Sequence, residues 1–192
     1  MLEEATAVFA ELGFHAASMD EIAHRAGISK PMLYLYFESK EGLWRSCVAA
    51  ARGRLFESID KAVDTSARPD VQLWQGVQAF FAFVEEDGDS WAVLDESRAG
   101  PLSGELAEVR RQVARGVSGL LREAAAAEGA GEAALQRTDP LARTLVGAGE
   151  SLANWWLEDR EMSRDAVALL LMNFAWLGFG DLVRGKRWRP DG

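Results

Sequence analysis

The 192-residue chain is long enough to bury a hydrophobic core, and its 48% hydrophobic and 27% charged residues exclude disorder as its main state. A formal net charge of −9 excludes a polycation that binds nucleic acid through its overall charge. One cysteine and two histidines exclude a disulfide scaffold or a zinc site built from several thiolates, and we predict no metal or other cofactor. The apolar runs are too short to span a membrane and the acidic N-terminus is unlike a signal peptide, which together predict a soluble cytoplasmic protein.

Helical periodicity runs through the chain, whereas the alternating pattern of strands is nearly absent. We therefore predict an all-α fold of nine helices. Ser18, Ser29 and Ser39 are the expected N-caps of the second, third and fourth helices, and Gly13 is expected to end the first. The predicted helices lie at about residues 2–12, 18–26, 29–37, 39 to a break at 67–69, 74–84, 91–97, 105–122, 140–158 and 164–184. A segment rich in Ala, Gly and Glu at residues 125–138 is predicted to be a frayed helix end and a loop.

The second and third predicted helices are joined by a turn that begins with Gly27. Ala23 is small enough for the next helix to cross closely, Gly27 can adopt the positive φ of the turn, and Leu33 can fix the crossing angle. This spacing suits a helix-turn-helix, in which the start of the second helix enters the major groove of DNA. These three positions alone fit a plain helical corner equally well.

Residues 30–43, KPMLYLYFESKEGL, resemble the helix-turn-helix signature of the TetR family of transcriptional regulators, and the flanks at 9–14 and 19–23 match it as well. The close resemblance covers residues 1–47, and the rest of the chain matches only in its order of helices. It implies a TetR-like architecture: a three-helix DNA-binding domain at residues 1–47, its first helix truncated at Met1, and a helical ligand-binding and dimerisation domain at residues 48–192.

The resemblance identifies the third helix as the recognition helix. It makes Lys30 and Met32 candidates for contact with base edges, and Pro31 and Leu35 candidates for apolar contact, for instance with a thymine methyl group. The plainer alternative for Met32 and Leu35 is that both are ordinary apolar residues on the surface.

Other positions correspond to residues that lie against the DNA backbone in the family. Tyr34, Tyr36 and Lys40 match positions that bind phosphate, and Lys40 gains from the positive end of the fourth helix. Ser18 and Met19 match positions near the backbone at the start of the second helix. Tyr34 could instead be a core residue beneath the recognition helix. Residues 1–47 carry four basic and seven acidic side chains, so we expect few phosphate contacts per subunit and modest, salt-dependent affinity.

Residues 74–179 contain ten large aromatic rings, most of which we expect in the core. Ligand pockets are mostly apolar with few polar groups, and the resemblance implies such a cavity here. The candidate ligand-binding residues are Trp74, Phe81, Trp91, Asp95, Glu150, Asn154 and Trp155.

The ninth predicted helix is apolar on every side, which indicates that it is buried on more than one face. Paired with the eighth across a twofold axis, it would form a four-helix bundle in a homodimer. The candidate interface residues are Leu152, Trp156, Met172, Trp176, Phe179 and Val183.

The sequence contains none of the common nucleophile, phosphate-loop or zinc-protease motifs, and we predict no catalytic residue and no enzyme activity. The favoured function is a ligand-responsive transcriptional regulator, in the first place a repressor. It would bind a palindromic DNA operator as a homodimer and be released by a small, mainly apolar effector. The alternative is a helical protein that binds small hydrophobic molecules and has little or no affinity for DNA.

Overall fold

The structure, a computed structural model, describes residues 1–96 and 103–183, with the side chains of residues 103, 105, 106, 179, 180, 182 and 183 left aside. These residues form ten α-helices and, within those ranges, no strand, which confirms the all-α fold. Nine helices correspond to the nine predicted, and the tenth, the single turn α8, lies in the predicted loop. The helices are α1 (Leu2–Ala16), α2 (Met19–Arg25), α3 (Lys30–Phe37), α4 (Lys40–Ala62), α5 (Pro69–Glu86), α6 (Gly88–Glu96), α7 (Ser103–Ala127), α8 (Glu132–Leu135), α9 (Thr138–Glu158) and α10 (Arg164–Val183).

Two of the three serine residues predicted as N-caps form a capping hydrogen bond with the helix that follows them. The Ser18 hydroxyl accepts a hydrogen bond of 3.1 Å from the Glu21 amide, and the Ser39 hydroxyl accepts one of 3.0 Å from the Gly42 amide. Ser29 is the N-cap residue of α3, as predicted, but its side chain forms no capping hydrogen bond. The helix is interrupted at Gly13, where the first helix was predicted to end, but the chain resumes a helical conformation beyond this kink and continues it to Ala16.

The chain divides into two compact units, and each unit is formed by two separate segments of the sequence. The first unit consists of Met1–Ser58 and Glu86–Val109, and the second of Ile59–Glu85 and Arg110–Gly192. These units reflect packing, and the sequence division at residue 47 stays a prediction. Most of α4 and all of α6 belong to the first unit.

Three aromatic rings form the centre of the first unit. The Trp44 ring packs edge-on against Phe9, with centroids 4.9 Å apart, and tilted against Phe14, with centroids 5.5 Å apart. Leu43 and Ile22 are fully buried around them. Burial of such rings supplies a large share of the hydrophobic stabilisation of a small unit. This cluster joins α1, α2 and α4 into one body.

The second unit has its own aromatic centre on α5 and α9. Phe81 packs edge-on against Trp156 with ring centroids 5.9 Å apart, and the Trp156 indole donates a 2.8 Å hydrogen bond to the Met162 carbonyl. The backbones of α9 and α10 come close at Gly149, where a Cβ atom would stand 3.3 Å from a methyl carbon of Leu171. Gly149 therefore permits a close approach of the two helices within the chain.

Helix α6 is fastened to the first unit at both of its ends. At its C-terminal end, the Glu96 carboxylate accepts a 2.7 Å hydrogen bond from the Phe14 amide, which the kink at Gly13 leaves without a helical partner. At its N-terminal end, Arg54 of α4 donates a 2.6 Å hydrogen bond to Asp87 and another to the buried hydroxyl of Ser90. Hydrogen bonds with one charged partner stabilise more than neutral ones, so these contacts hold α6 against α1 and α4.

Gly13 should be hard to replace, because its φ of 76° and ψ of 160° lie in a region that only glycine occupies readily. A Cβ atom there would also stand 2.9 Å from the Glu96 carboxylate. We expect Gly13→Ala to lower the free energy of unfolding by about 2–4 kcal/mol in urea denaturation. Gly27→Ala is the matched control: its φ is 66° but no atom lies within 4 Å of the added carbon, so only the backbone cost of about 1–2 kcal/mol applies.

The contact with Glu96 can be separated from backbone strain by repeating Gly13→Ala in a Glu96→Ala chain. We expect part of the cost to disappear there. An equal cost in both backgrounds would contradict the assignment of the Glu96 contact.

Candidate DNA-binding interface

The turn between α2 and α3 has the geometry of a helix-turn-helix. Gly27 has a φ of 66°, and the Ile28 amide donates a 3.0 Å hydrogen bond back to the carbonyl of Ala23, which closes the end of α2. Ala23 is 4% exposed and Leu33 is fully buried, so both serve as the packing residues that the sequence predicted. α3 thereby keeps one face on the core and presents the other to solvent.

The solvent face of α3 is unusually apolar. Leu35 is 79% exposed, Tyr36 60% and Met32 45%, and Pro31 is exposed beside them. Tyr34 is exposed as well, so its side chain is not the core residue considered as an alternative. Large apolar side chains clustered on a surface are typical of an interaction site.

The start of α2 offers less side-chain surface than the sequence suggested. Ser18 is exposed, and its hydroxyl oxygen accepts the Glu21 amide. Met19 is only 6% exposed because its side chain packs into the first unit, so an interface role for the Met19 side chain is wrong. Only the backbone of Met19 remains for a contact at this position.

The basic side chains of this surface have partners within the first unit. Lys30 lies 2.8 Å from the carboxylate of Asp20, and this hydrogen bond raises the pKa of Lys30. Arg25 donates hydrogen bonds to the carboxylates of both Glu11 and Glu21, and these bonds raise the pKa of Arg25. Exposed pairs of this kind contribute little to stability, but they reduce the positive potential available to DNA. The ion pair of Asp20 with Lys30 was not predicted from the sequence, because it joins residues on the two sides of the turn and no local pattern indicates it.

Lys40 ties the first turn of α4 to the end of α1. Its ammonium group donates hydrogen bonds of 3.2 Å to the His15 carbonyl and 3.0 Å to the Ala17 carbonyl. It also stands 4.7 Å above the centre of the Phe14 ring, a distance suited to a cation–π contact. Lys40 therefore positions the α1–α2 connection, and a phosphate at this end of α4 would meet a charge that is already fixed in place.

The predicted ligand-binding residues are distributed over both units. Trp91 and Asp95 belong to the first unit, and the other five to the second. Phe81 and Trp91 are buried, whereas Trp155 is exposed on α9. The remaining members of the set are intermediate in exposure, namely Trp74, Asp95, Glu150 and Asn154.

Glu150 is engaged by an arginine that the sequence reasoning had not connected with it. The Arg110 guanidinium on α7 holds both carboxylate oxygens of Glu150 on α9, one of them at 2.7 Å. A bidentate pair of this kind neutralises the carboxylate and fixes its orientation. As a ligand-orienting group, Glu150 would act as one half of an ion pair.

The predicted dimer residues are only partly on the surface of the second unit. Trp156 is 1% exposed and lies in the core, so its assignment to the interface is wrong. Leu152, Met172 and Trp176 are half-buried, and the side chains of Phe179 and Val183 lie outside the described part of the structure. Among the described side chains of α9 and α10, the large exposed apolar residues are instead Trp155, Leu169, Leu170, Phe174 and Leu177.

Within residues 1–96 and 103–183, the helices lack the length or the hydropathy that a membrane-spanning helix needs. The same residues contain no group of three or more His, Cys, Asp and Glu side chains that could hold a metal ion.

Comparison with known proteins gives matches over both parts of the chain. Residues 1–47 match the family model for bacterial regulatory proteins of the tetR family, and residues 69–178 match the tetracyclin repressor-like C-terminal domain. The transcriptional activator FasR of Mycolicibacterium smegmatis is 31% identical over 93% of this chain and 80% of its own length. The fatty acid metabolism regulator protein of Bacillus subtilis is 24% identical over 88% of this chain and 87% of its own length.

A solved structure supports the same assignment. The crystal structure of a TetR-like transcriptional regulator from Rhodococcus sp. RHA1 superimposes with a TM-score of 0.82, 34% identity and 93% coverage of each chain. The named relatives are transcriptional regulators and not enzymes. The helix-turn-helix of α2 and α3 is thus a DNA-binding element, and the chain belongs to the TetR family of transcriptional regulators.

Proposed function

We propose that the chain is a homodimeric regulator that binds a palindromic operator through α3 and is released by a mainly apolar effector. The observation that carries this proposal is that the chain has two separate exposed apolar surfaces, to which we assign different roles. One is the outer face of α3, and the other is the exposed face of α9 and α10. The first suits a DNA groove and the second suits another copy of the chain.

The dimer proposal rests on the pattern of exposure along α10. Leu170, Phe174 and Leu177 are spaced as neighbours on one helical face, and Phe174 and Leu177 are 67% and 66% exposed. Leu169 and the α9 residue Trp155 add to the apolar surface of the second unit. A four-helix bundle formed with the same helices of a partner would bury these side chains and give the twofold symmetry that a palindrome requires.

Within each subunit, we assign the DNA contacts to the exposed part of the first unit. Tyr34 and Tyr36 are proposed to bind phosphates through their hydroxyl groups, together with Ser18 and Lys40. Repression is the proposed mode, since a protein seated on an operator within a promoter obstructs transcription. The relative FasR is named an activator, so a transcription assay with the selected operator decides the direction.

The effector is proposed to act on the first unit through chain segments that join the two units. α4 runs for 23 residues from Lys40, about 35 Å, and its last residues belong to the second unit. α6 follows α5 after the single residue Asp87, and its ends are fastened to α1 and α4. A ligand that moves α5 or the far end of α4 would therefore alter the placement of the DNA-binding helices.

Dimerisation is tested by placing a charge in the apolar face of α10. We expect Phe174→Arg to yield monomers in light scattering, because a buried unpaired charge costs several kcal/mol at an interface. The affinity of the same chain for the operator should fall by at least about a hundredfold, because a single subunit can bind only one half-site. The control is Asp165→Arg, which adds the same side chain to an exposed polar position of α10.

A folded Phe174→Arg chain that remains a dimer and keeps its operator affinity contradicts the proposed interface. A chain that becomes monomeric and still binds the operator with unchanged affinity contradicts the requirement for a dimer.

Effector control is tested with palmitic acid as the probe, chosen because the Bacillus subtilis relative is named a fatty acid metabolism regulator. Tryptophan emission, to which Trp74 and Trp155 contribute, should change on titration. We expect saturating operator duplex to weaken palmitate binding by about 5- to 150-fold, since coupling between two sites is reciprocal. Equal palmitate affinities with and without the duplex contradict control by this probe, and an absence of binding contradicts an acyl effector.

A further inference from the structure

The face of α3 that would enter the major groove is dominated by side chains that cannot form hydrogen bonds. Leu35 is the most exposed large apolar residue among the described residues of the first unit, and Met32 lies one turn before it on the same side of the helix. Pro31 is also one turn from Leu35 and is exposed. Together, Pro31, Met32 and Leu35 form what we call the apolar face of α3.

The one cation of α3 is not well placed to dominate base recognition. Lys30 is the only basic residue between positions 30 and 37, and its ammonium group lies 2.8 Å from the Asp20 carboxylate. Lysine reads guanine by donating to its O6 and N7 atoms. While Asp20 accepts from Lys30, fewer donors remain for a base, and the carboxylate would repel the phosphates nearby.

The major groove displays one apolar group that differs between base pairs, the 5-methyl group of thymine. An exposed leucine or methionine gains free energy when it covers such a methyl group, because both apolar surfaces leave water. It gains nothing comparable from the polar edges of guanine or cytosine.

The spacing of the apolar face matches neighbouring base steps. Leu35 and Met32 are three residues apart, which is a rise of about 4.5 Å along the helix, and successive base pairs are stacked about 3.4 Å apart. Two methyl groups on adjacent or nearly adjacent steps could therefore be covered at once.

We propose that Leu35, together with Met32, reads the 5-methyl groups of thymines, so that each operator half-site is specified mainly by apolar contact. This inference rests on the proposed function, because it requires α3 to lie in the major groove. It makes Leu35 the principal specificity-determining residue of the chain and assigns Lys30 a secondary part in base recognition.

The experiment begins with duplexes that the full chain selects from a randomised pool. Each thymine of the selected half-site is then replaced by deoxyuridine, which pairs identically but lacks the methyl group. At one or two thymines per half-site we expect binding to weaken about fourfold, the factor that corresponds to about 0.8 kcal/mol for one methyl-sized group. The same change made in both half-sites of one duplex should weaken binding about 16-fold, since each half-site contributes the same factor.

The assignment to Leu35 is made with Leu35→Ala. This chain should lose the effect of uracil at one position and keep it at any other sensitive thymine. Leu12→Ala, which alters another exposed leucine of the first unit, should keep the whole uracil pattern. Replacing the sensitive thymine pair by a pair that contains 5-methylcytosine should recover part of the methyl-dependent affinity relative to unmodified cytosine.

The outcomes separate this inference from the function on which it rests. A pool that yields no enriched duplex overturns the proposed function and this inference with it. An enriched palindrome that lacks thymine, or whose thymines all tolerate uracil, overturns this inference alone. Retention of the full uracil pattern by Leu35→Ala overturns the assignment to Leu35.

Discussion

The hydrogen bond from the Phe14 amide to the Glu96 carboxylate joins segments that are 82 positions apart in the sequence. It exists because Gly13 interrupts α1 and leaves an amide donor that a helix would otherwise have used. With the contacts of Arg54 to Asp87 and Ser90, it makes α6 a structural part of the DNA-binding unit. The sequence of α6 nevertheless lies between helices of the second unit, so the DNA-binding helices are tied by covalent chain to the part of the protein proposed to bind an effector.

The charge distribution sets a second constraint on function. A chain with a net charge of −9 cannot hold DNA by general attraction, and the cations Arg25, Lys30 and Lys40 already have partners in the first unit. Binding must then depend on the fit of a small surface and, in the dimer proposed above, on the placement of two copies at the correct separation. Such a protein is sensitive to small changes in helix position, because weak general attraction leaves little affinity once the fit is lost.

Local patterns predicted the helices and the helix-turn-helix, since capping by Ser18, the turn at Gly27 and the packing of Leu33 depend on residues close in sequence. The features that these local patterns could not predict depend on packing between residues far apart in the sequence. An α10 that is apolar on all sides gave no way to tell which face packs inside the chain. Trp156, predicted at the dimer interface, is accordingly found in the core, whereas the neighbouring Trp155 is exposed. Neither the contact of Asp20 nor that of Glu96 can be read from local sequence.

The most direct test of this account is the operator affinity of the Glu96→Ala chain, measured beside its affinity for a duplex of unrelated sequence. Loss of the carboxylate frees one end of α6 without altering a residue of α2 or α3. The account predicts that operator affinity falls by at least about fivefold, the lower end of typical coupling between sites, while affinity for the unrelated duplex is unchanged. A folded Glu96→Ala chain with the operator affinity of the unaltered chain would contradict the claim that the attachment of α6 positions the DNA-binding helices.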